Sequence, residues 1–441
     1  MRNFTFKGLF LTAVFALLWS LTIQAAEDGL ITKQITIKLK EAGTLPDRID
    51  ASKKYLITNL KLVGEINGTD FRMIREMAGS DYYGGSTEGN LSVLDLSEAK
   101  IVIGGGDYFN GYSCYTSNDV IGNRAFNGCS RLTSLTLPAS ITRIGDYAFY
   151  CCSGLTSLTL PAGITEIGYS AFCGCSGLTS LNLPAGITSI GDDAFYGCSG
   201  LTSITLPAGI TEIGGSAFNG CSRLTSLTLP AGITSIGGGA FYGCSGLTSL
   251  NLPAGITEIG GGAFGFCSGL TSINLPAGIT SIGEYAFYGC SGLTSVTLPA
   301  GITEIGECAF YGCSGLTSLT LPAGLTQIDD YAFSECSGLT SIYVYAEKVP
   351  KIGEDVFKGC EAKKCILYVP KGTYDDYWLS DFGYFENIVE FDATGIDKTT
   401  TSTDAKEVSR YSVNGQRLVG PTKGLNIVKY SDGSVKKVAA L

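Results

Sequence analysis

One spacing, 23 residues, governs the middle of this chain and limits what it can fold into. Phenylalanine returns at that step from Phe126 to Phe333, proline from Pro138 to Pro322, and cysteine from Cys129 to Cys336. A unit of this length cannot bury a core of its own, so neighbouring units must stack and cover one another. The spacing therefore predicts an elongated array of similar coils with a cap at each end.

The unit from Leu201 to Arg223, LTSITLPAGITEIGGSAFNGCSR, shows how one coil is built. Its first part alternates polar and apolar residues, with Ile204 and Leu206 turned toward a core, which predicts a short strand. Pro207 lacks a backbone N–H and ends that strand. The segment around Phe218 is expected on the opposite side, in a helical or 3₁₀ turn. This pattern indicates an α/β repeat, a leucine-rich-repeat solenoid with 23-residue units.

The unit resembles the BspA-type leucine-rich repeat of bacterial surface proteins. The resemblance rests on the pattern IGxxAFxGCxxLTSLxLPxxIxxI, which runs from Ile213 to Ile236 and recurs with small changes in the other units. Residues 62–71 and 94–97 look like the leading cap of that family, and 367–374 looks like its closing segment. The resemblance implies adhesion or ligand binding, because members are associated with attachment to host extracellular-matrix proteins and to other cells.

The remaining segments give the predicted domain organisation. Residues 1–26 indicate a signal peptide, because basic Arg2 and Lys7 precede an apolar run that ends in small residues. A membrane anchor is the alternative, although the apolar run is short for one, and no later stretch could span a bilayer. The other predicted segments are an N-terminal cap region at 27–120, repeats at 121–345, a C-terminal cap at 346–395, a linker at 396–408 and a small β tail at 409–441.

The predicted tail has the alternation of strands. Residues 411–418 and 424–429 alternate in this way, and residues 431–434 carry the signal of a hairpin turn. The tail resembles the C-terminal sorting segment of Bacteroidetes type IX secretion cargo, which implies passage across the outer membrane and a secreted or cell-surface location. A small accessory β-domain is the alternative interpretation.

Composition argues against several classes of function. The net charge is −10 and no Lys occurs from residue 101 to 347, whereas phosphate recognition needs clustered Lys and Arg. Nucleic acid is therefore not an expected partner. The sequence contains no His, which removes the commonest general base and the imidazole ligands of metal sites. We predict that the protein is not an enzyme and uses neither a metal nor a cofactor.

Eleven cysteines occupy equivalent positions from Cys129 to Cys360. Coils about 5 Å apart would bring them within the range of disulfide bonds. A column of small buried residues is the favoured interpretation, because every Cβ in such a column points the same way. A disulfide bond between Cys360 and Cys365 in the closing cap is an alternative that the sequence leaves undecided. The cysteines outside the column are Cys114, Cys151, Cys173, Cys308 and Cys365.

The outward-facing residues of the predicted strands are the candidate binding site. Their hydroxyl and amide groups would form a flat polar surface for a glycan or a protein, and a merely solvated sheet face is the alternative. The candidate residues are Ser157, Thr159, Ser180, Asn182, Ser203, Thr205, Ser226, Thr228, Ser249 and Asn251. Because the coils are nearly identical, they provide little variation for one sharply defined site.

Two further groups of residues each have a binding interpretation and a structural or solubility interpretation. Acidic residues such as Glu166, Glu212, Glu258 and Glu304 recur at fixed positions, where they could attract a basic partner or serve solubility. Aromatic residues cluster at 374–385, where a closing cap needs large side chains and an interface is the alternative.

These patterns predict a secreted or cell-surface binding protein. Its solenoid surface would adhere to a host-matrix or cell-surface protein or glycan, and removal of the signal peptide would leave no transmembrane span. The alternative is a structural spacer or stalk with no dedicated ligand. The two hypotheses differ in whether the strand surface captures a partner.

Overall fold

The computed structural model describes residues 29–393 and, in the tail, 407–412, 417–420, 424–430 and 435–440. The predicted signal peptide at 1–26 and most of the predicted linker lie outside these residues. The chain is a β-solenoid of about 16 turns of roughly 23 residues each, so the predicted fold class is confirmed.

The first side of most coils is a short parallel strand, and most of these strands pair in register with those of the neighbouring coils. Ser180 pairs with Ser203, and Asn182 pairs with Thr205. Inward-facing residues are apolar and outward-facing ones polar, as the alternation predicts. The strands of this long ladder are Ile35–Lys38, Asn59–Ile66, Val93–Ile101, Ser134–Thr136, Ser157–Thr159, Ser180–Asn182, Ser203–Thr205, Ser249–Asn251, Ser272–Asn274, Ser295–Thr297, Ser318–Leu321, Ser341–Val344, Ile366–Pro370 and Asn387–Phe391.

A second, shorter ladder follows the proline turn of each coil. Most of its two-residue strands also pair in parallel with the equivalent residues of the next coil, as Glu212 does with Ser235. The pairing is interrupted after Glu166–Ile167 and after Glu258–Ile259, so the ladder consists of three short sheets. The second residue of each strand is apolar and is buried in all but the last coil. The strands are Val120–Ile121, Arg143–Ile144, Glu166–Ile167, Ser189–Ile190, Glu212–Ile213, Ser235–Ile236, Glu258–Ile259, Ser281–Ile282, Glu304–Ile305, Gln327–Ile328 and Lys351–Ile352.

The third side of the coil, which we call the turn segment, contains neither an α-helix nor a 3₁₀ helix within residues 121–345. Of the predicted helical or 3₁₀ turn, it has only single turns closed by an N–H bond to the carbonyl three residues earlier. Phe218 donates its N–H to Ala240 of the next coil at 2.8 Å, whereas Asn219 donates to Ser216 of its own coil at 3.0 Å. Ser216 has a φ of 51°, in the left-handed region that a helix cannot contain. Alternating bonds to the next coil and within the coil therefore replace a helix.

The phenylalanines of the turn segment form the centre of the core. Successive rings from Phe126 to Phe357 stack nearly parallel, with centroids 5.1–5.9 Å apart and interplanar angles of 2–10°. The rings from Phe126 to Phe333 are completely buried. Each ring packs against the same group one coil away, so the stack joins all the repeats into one continuous core.

The column of eleven cysteines lies beside this stack and is buried throughout. From Cys152 onward each thiol donates a hydrogen bond to the carbonyl of a phenylalanine; Cys198, for example, bonds to Phe172 at 3.1 Å. All eleven are free thiols, as the favoured interpretation predicts. Burial raises the pKa of the Cys198 thiol from its ordinary value of 9.0 to about 12.

No repeat precedes the first one, and the N-terminal cap bonds to it in the place of a preceding coil. In a regular pair of coils, carbonyls of the turn segment accept N–H groups from the preceding coil. In the first repeat the carbonyl of Asn123 accepts the hydroxyl of Tyr108 at 2.8 Å, and Ala125 accepts the buried guanidinium of Arg75 at 3.4 Å. Arg75 lies on the α-helix Gly68–Met77, whose capping box and amphipathic pattern hold it against the core.

The C-terminal cap closes the other end of the phenylalanine stack. It comprises the strands Ile366–Pro370 and Asn387–Phe391, the helix Tyr374–Trp378 and the 3₁₀ helix Asp381–Tyr384. Phe357 packs against Phe382 at 5.5 Å and Phe385 at 5.0 Å between ring centroids. Buried aromatic residues thus end the core, although Trp378 and Tyr374 of the same cluster are exposed.

The tail forms an antiparallel sheet, as predicted for a small β segment. Its strands are Glu407–Ser412, Arg417–Leu418, Gly424–Tyr430 and Val435–Ala440, and the first begins two residues inside the predicted linker. The last two strands pair as the two arms of a hairpin, from Lys429 and Val435 to Gly424 and Ala440. The predicted turn at 431–434 lies outside the described residues.

Replacement of one ring should weaken the stack measurably. We expect Phe218→Ala to lower the free energy of unfolding by about 3–5 kcal/mol, because it leaves a cavity between Phe195 and Phe241. Urea denaturation followed by circular dichroism measures this loss, with Thr205→Ala on the exposed strand surface as the control. An unchanged midpoint for Phe218→Ala would contradict the role of the stack.

The buried thiols should make the solenoid sensitive to alkali. The folded state keeps the Cys198 thiol protonated up to about pH 12, whereas an unfolded chain loses that proton from pH 9.0. This stabilisation is complete below pH 9.0 and falls by on the order of 1 kcal/mol per pH unit until the folded thiol ionises. Urea denaturation in a reducing buffer should show that the difference in stability between wild type and Cys198→Ala shrinks from pH 8 to pH 11. Parallel pH profiles would contradict this prediction.

Candidate binding surface

The ten candidate residues predicted from the sequence lie on one side of the solenoid. Each points outward from the long ladder or, for Ser226 and Thr228, from the equivalent segment, and each is exposed. Their columns continue in both directions, so that Ser134, Ser157 and Ser180 are in register, as are Thr136 and Thr159. We call the outward-facing residues of this side, from Ser134 to Thr320, the strand face.

The polar side chains on this side of the solenoid differ in whether they form hydrogen bonds within the protein. Thr202 donates its hydroxyl to the carbonyl of Thr179 at 3.0 Å, and equivalent threonines repeat this bond between most coils. Among the described residues, the ten candidate side chains make no such hydrogen bond within the protein. Their donors and acceptors face water and are available to a partner. This difference depends on the geometry of each column, so the sequence did not reveal it.

The strand face carries no charged side chain, in contrast to the rest of this acidic chain. It is bordered at its N-terminal end by Lys61, whose ammonium group lies 3.4 Å from Asp95 and 2.7 Å from Glu98. At its other end the column of Thr320 continues with Tyr343 and then Tyr368. The surface is therefore a neutral polar wall with an ion-paired border and an aromatic border.

The aromatic border is a compact cluster. The rings of Tyr343 and Tyr368 stack with centroids 4.4 Å apart and planes 4° apart. Phe391 packs edge-on against Tyr343 at 6.0 Å and against Tyr345 at 5.1 Å. All four residues are partly exposed. The sequence gives no signal for this cluster, because its members lie in separate strands that only the ladder brings together.

The long ladder is interrupted in the middle of the strand face. Ser203–Thr205 pairs with the preceding strand, but the next coil contributes only an isolated bridge between Thr228 and Asn251. Ser226 and Thr228 keep their outward position without forming a regular strand. Two of the ten candidate residues thus lie at a break in the sheet, which a uniform sequence pattern does not predict.

The acidic residues lie on the short ladder, away from the strand face. Glu166, Glu212, Glu258 and Glu304 are exposed and alternate with serines, so that they recur every second coil. Arg143 pairs with Glu166 at 3.0 Å, and the remaining acids extend the row without an ion pair among the described residues. Attraction of a basic partner would therefore act on this row and leave the strand face uninvolved.

A second aromatic group lies on the turn segments. Tyr242 contacts Phe266, Phe266 contacts Tyr288, and Tyr288 stacks on Tyr311 with centroids 5.0 Å apart. Phe266 is exposed. Its φ is 55°, and it occupies a position that is glycine in most coils. This row was also missed in the sequence analysis, because its residues occupy two adjacent columns.

No group of three or more His, Cys, Asp or Glu residues in the described part of the chain could hold a metal ion. A shallow open groove of the C-terminal cap is lined by Glu347, Lys348, Val349, Asp376 and Leu379. No helix within the described ranges is both long and apolar enough to cross a bilayer.

Comparison with known families gives the same architecture. The family model described as BspA type Leucine rich repeat region matches in six copies, over residues 111–199, 166–279 and 257–373. These matches together span more than half of the chain. The chain belongs to the BspA-type leucine-rich-repeat family. The leucine-rich-repeat solenoid of this family is typically a non-enzymatic scaffold for binding proteins.

Several solved structures are similar to the chain. A leucine-rich repeat protein of Bacteroides ovatus is 26% identical, with 68% of this chain and 84% of that chain covered and a TM-score of 0.49. The leucine-rich repeat protein of T. pallidum is 30% identical, with 42% and 78% covered and a TM-score of 0.33. A leucine rich cell surface protein of Faecalibacterium prausnitzii is 26% identical, with 71% and 88% covered and a TM-score of 0.37. A search of curated proteins found no match.

Proposed function

We propose that this protein is a secreted or cell-surface adhesin that binds a protein or a glycan through its strand face and catalyses no reaction. The observation that carries the proposal is the set of ten exposed hydroxyl and amide side chains whose hydrogen-bonding groups are free. A surface of this kind gains little from hydrophobic burial, so binding depends on many weak polar contacts along its length. Affinity then grows with the number of coils engaged.

The chemistry of the strand face limits the partners that it suits. A neutral wall offers hydroxyl and amide groups, which match the hydroxyls of a glycan or the backbone of an extended peptide. The stacked Tyr343 and Tyr368 at one end add an apolar face beside these groups. The lack of Lys and Arg on this surface argues against nucleic acid as a partner.

The proposed location rests on the predicted signal peptide and on the β tail. The predicted signal peptide at 1–26 would direct export, and the β tail is proposed to act as a type IX sorting segment. Together they would place the solenoid outside the outer membrane, where adhesion to a host matrix or to another cell takes place.

A change of charge on the strand face tests the binding site. We expect Thr205→Lys combined with Thr228→Lys to abolish capture of immobilised extracellular-matrix proteins or glycans, because two ammonium groups interrupt the neutral wall at its centre. The assay compares wild type and variant on a panel of matrix proteins and on a glycan array. Circular dichroism establishes that both proteins are folded.

The matched control places the same charge on another face. Ser189→Lys combined with Ser235→Lys alters the short ladder and should leave capture unchanged. Loss of capture in the control but not in the strand-face variant would transfer the site to the short ladder and contradict the proposal.

The second candidate function is that of a spacer, which holds the two ends of the solenoid apart. It is supported by the near identity of the coils, since an extended stack of this kind gives length without requiring a specific partner. A folded wild-type protein that binds nothing on either panel would favour the spacer over the adhesin.

The role of the tail is tested separately. A chain that ends at residue 395, produced in a bacterium with type IX secretion, should accumulate in the periplasm instead of reaching the cell surface. Surface labelling with a membrane-impermeant reagent and cell fractionation measure the distribution. Unchanged surface labelling would show that the tail is an accessory β-domain.

A further inference from the structure

Two of the sixteen cysteines differ from the rest in their exposure. Cys151 is exposed and Cys173 is partly exposed, whereas the other fourteen are buried. The column thiols are also engaged with phenylalanine carbonyls, as Cys175 is with Phe149 at 3.1 Å. Oxidants in solution can therefore reach Cys151 and Cys173 before they reach any other thiol of the folded chain.

These two cysteines are neighbours across one coil boundary. The N–H of Cys151 donates to the carbonyl of Cys173 at 2.7 Å. Residues joined in this way lie about 5 Å apart, within the usual range of Cα separations in disulfides. A Cβ built on Gly174 would lie 3.0 Å from the Sγ of Cys151, so this sulfur projects over the coil that carries Cys173.

The pair does not follow from the repeat. Cys151 occupies a column that is glycine in most coils, and its φ of 55° is a conformation that favours glycine. Cys173 occupies the adjacent column, in which Tyr150 and Tyr196 are its nearest equivalents. Each of these two columns contains a single cysteine. The geometry of the buried column, in which equivalent side chains all point the same way, does not apply to residues in different columns.

We propose that Cys151 and Cys173 form a disulfide bond that joins two successive coils on the exposed side of the turn segments. The oxidant is a small dissolved disulfide. The thiolate of Cys151 attacks one sulfur of the oxidant, which forms a mixed disulfide and releases the first small thiol. The thiolate of Cys173 then attacks the Cys151 sulfur and releases the second, so the protein loses two electrons and two protons and the oxidant gains them.

Burial raises the pKa of Cys173 to about 11, and the nearby Cys151 thiol contributes to this rise. Cys151 is the more exposed of the two thiols, which assigns the first attack to it. The bond closes a loop of one coil, and it would hold the second and third repeats together while leaving the strand face untouched.

The experiment uses the full chain and oxidised glutathione as the probe. The folded protein is oxidised, and its remaining thiols are alkylated after unfolding. We expect loss of two of the sixteen thiols and an intact mass lower by two hydrogen atoms. Cleavage after Glu166 separates the two cysteines, whereas trypsin finds no site between Arg143 and Arg223, so a glutamate-specific protease maps the bond.

Three variants sharpen the result. Cys151→Ser and Cys173→Ser should each abolish the crosslink and leave the partner able to form only a mixed disulfide with glutathione. Cys308→Ser, which removes a cysteine outside the column that has no such neighbour, should retain the crosslink. Glutathione on each of Cys151 and Cys173 in the wild type, a bond between two chains, or a full count of sixteen thiols would overturn the proposal.

Discussion

The packing of one phenylalanine ring on the next holds this solenoid together. Each coil is too short to enclose a core, and its strands contribute only two to four residues to each ladder. The ring of Phe218 contacts Phe195 and Phe241, and through this contact every coil becomes part of the core of its neighbours. The cysteine beside each ring fills the remaining space, and from Cys152 onward its thiol donates a hydrogen bond to a phenylalanine carbonyl. The column thus combines apolar packing with satisfaction of a buried backbone acceptor.

The same stacking explains why the two ends are built differently from the middle. A coil in the array bonds to a neighbour on either side, and the first and last coils lack one of them. Arg75 and Tyr108 supply donors that the preceding coil would have provided. At the other end Phe382 and Phe385 cover the last ring. The caps therefore match the specific group that is missing at each end, a donor in one case and an apolar surface in the other.

Much of this architecture could be predicted from the sequence, because a periodic pattern reports which residues share an environment. The columns of Phe, Pro and Cys predicted the coil, the core and the outward rows. The turn segment was predicted less well, since a left-handed residue such as Ser216 excludes a helix without leaving a clear signal in an Ala-Phe sequence. The cluster of Tyr343 and Tyr368 and the pair of Cys151 and Cys173 depend on neighbours in different coils. Such contacts become visible only when the register of the ladders is known.

The near identity of the coils also bears on how such a chain changes over generations. Because each coil presents the same ring, thiol and ladder groups to the next, a whole unit could be gained or lost by recombination and the remaining units would still fit. The length of the molecule would then change in steps of about 4.8 Å, while its caps and packing stayed the same. The alternation of glutamate and serine on the short ladder repeats over two coils, so exchange in pairs would preserve the spacing of charge as well.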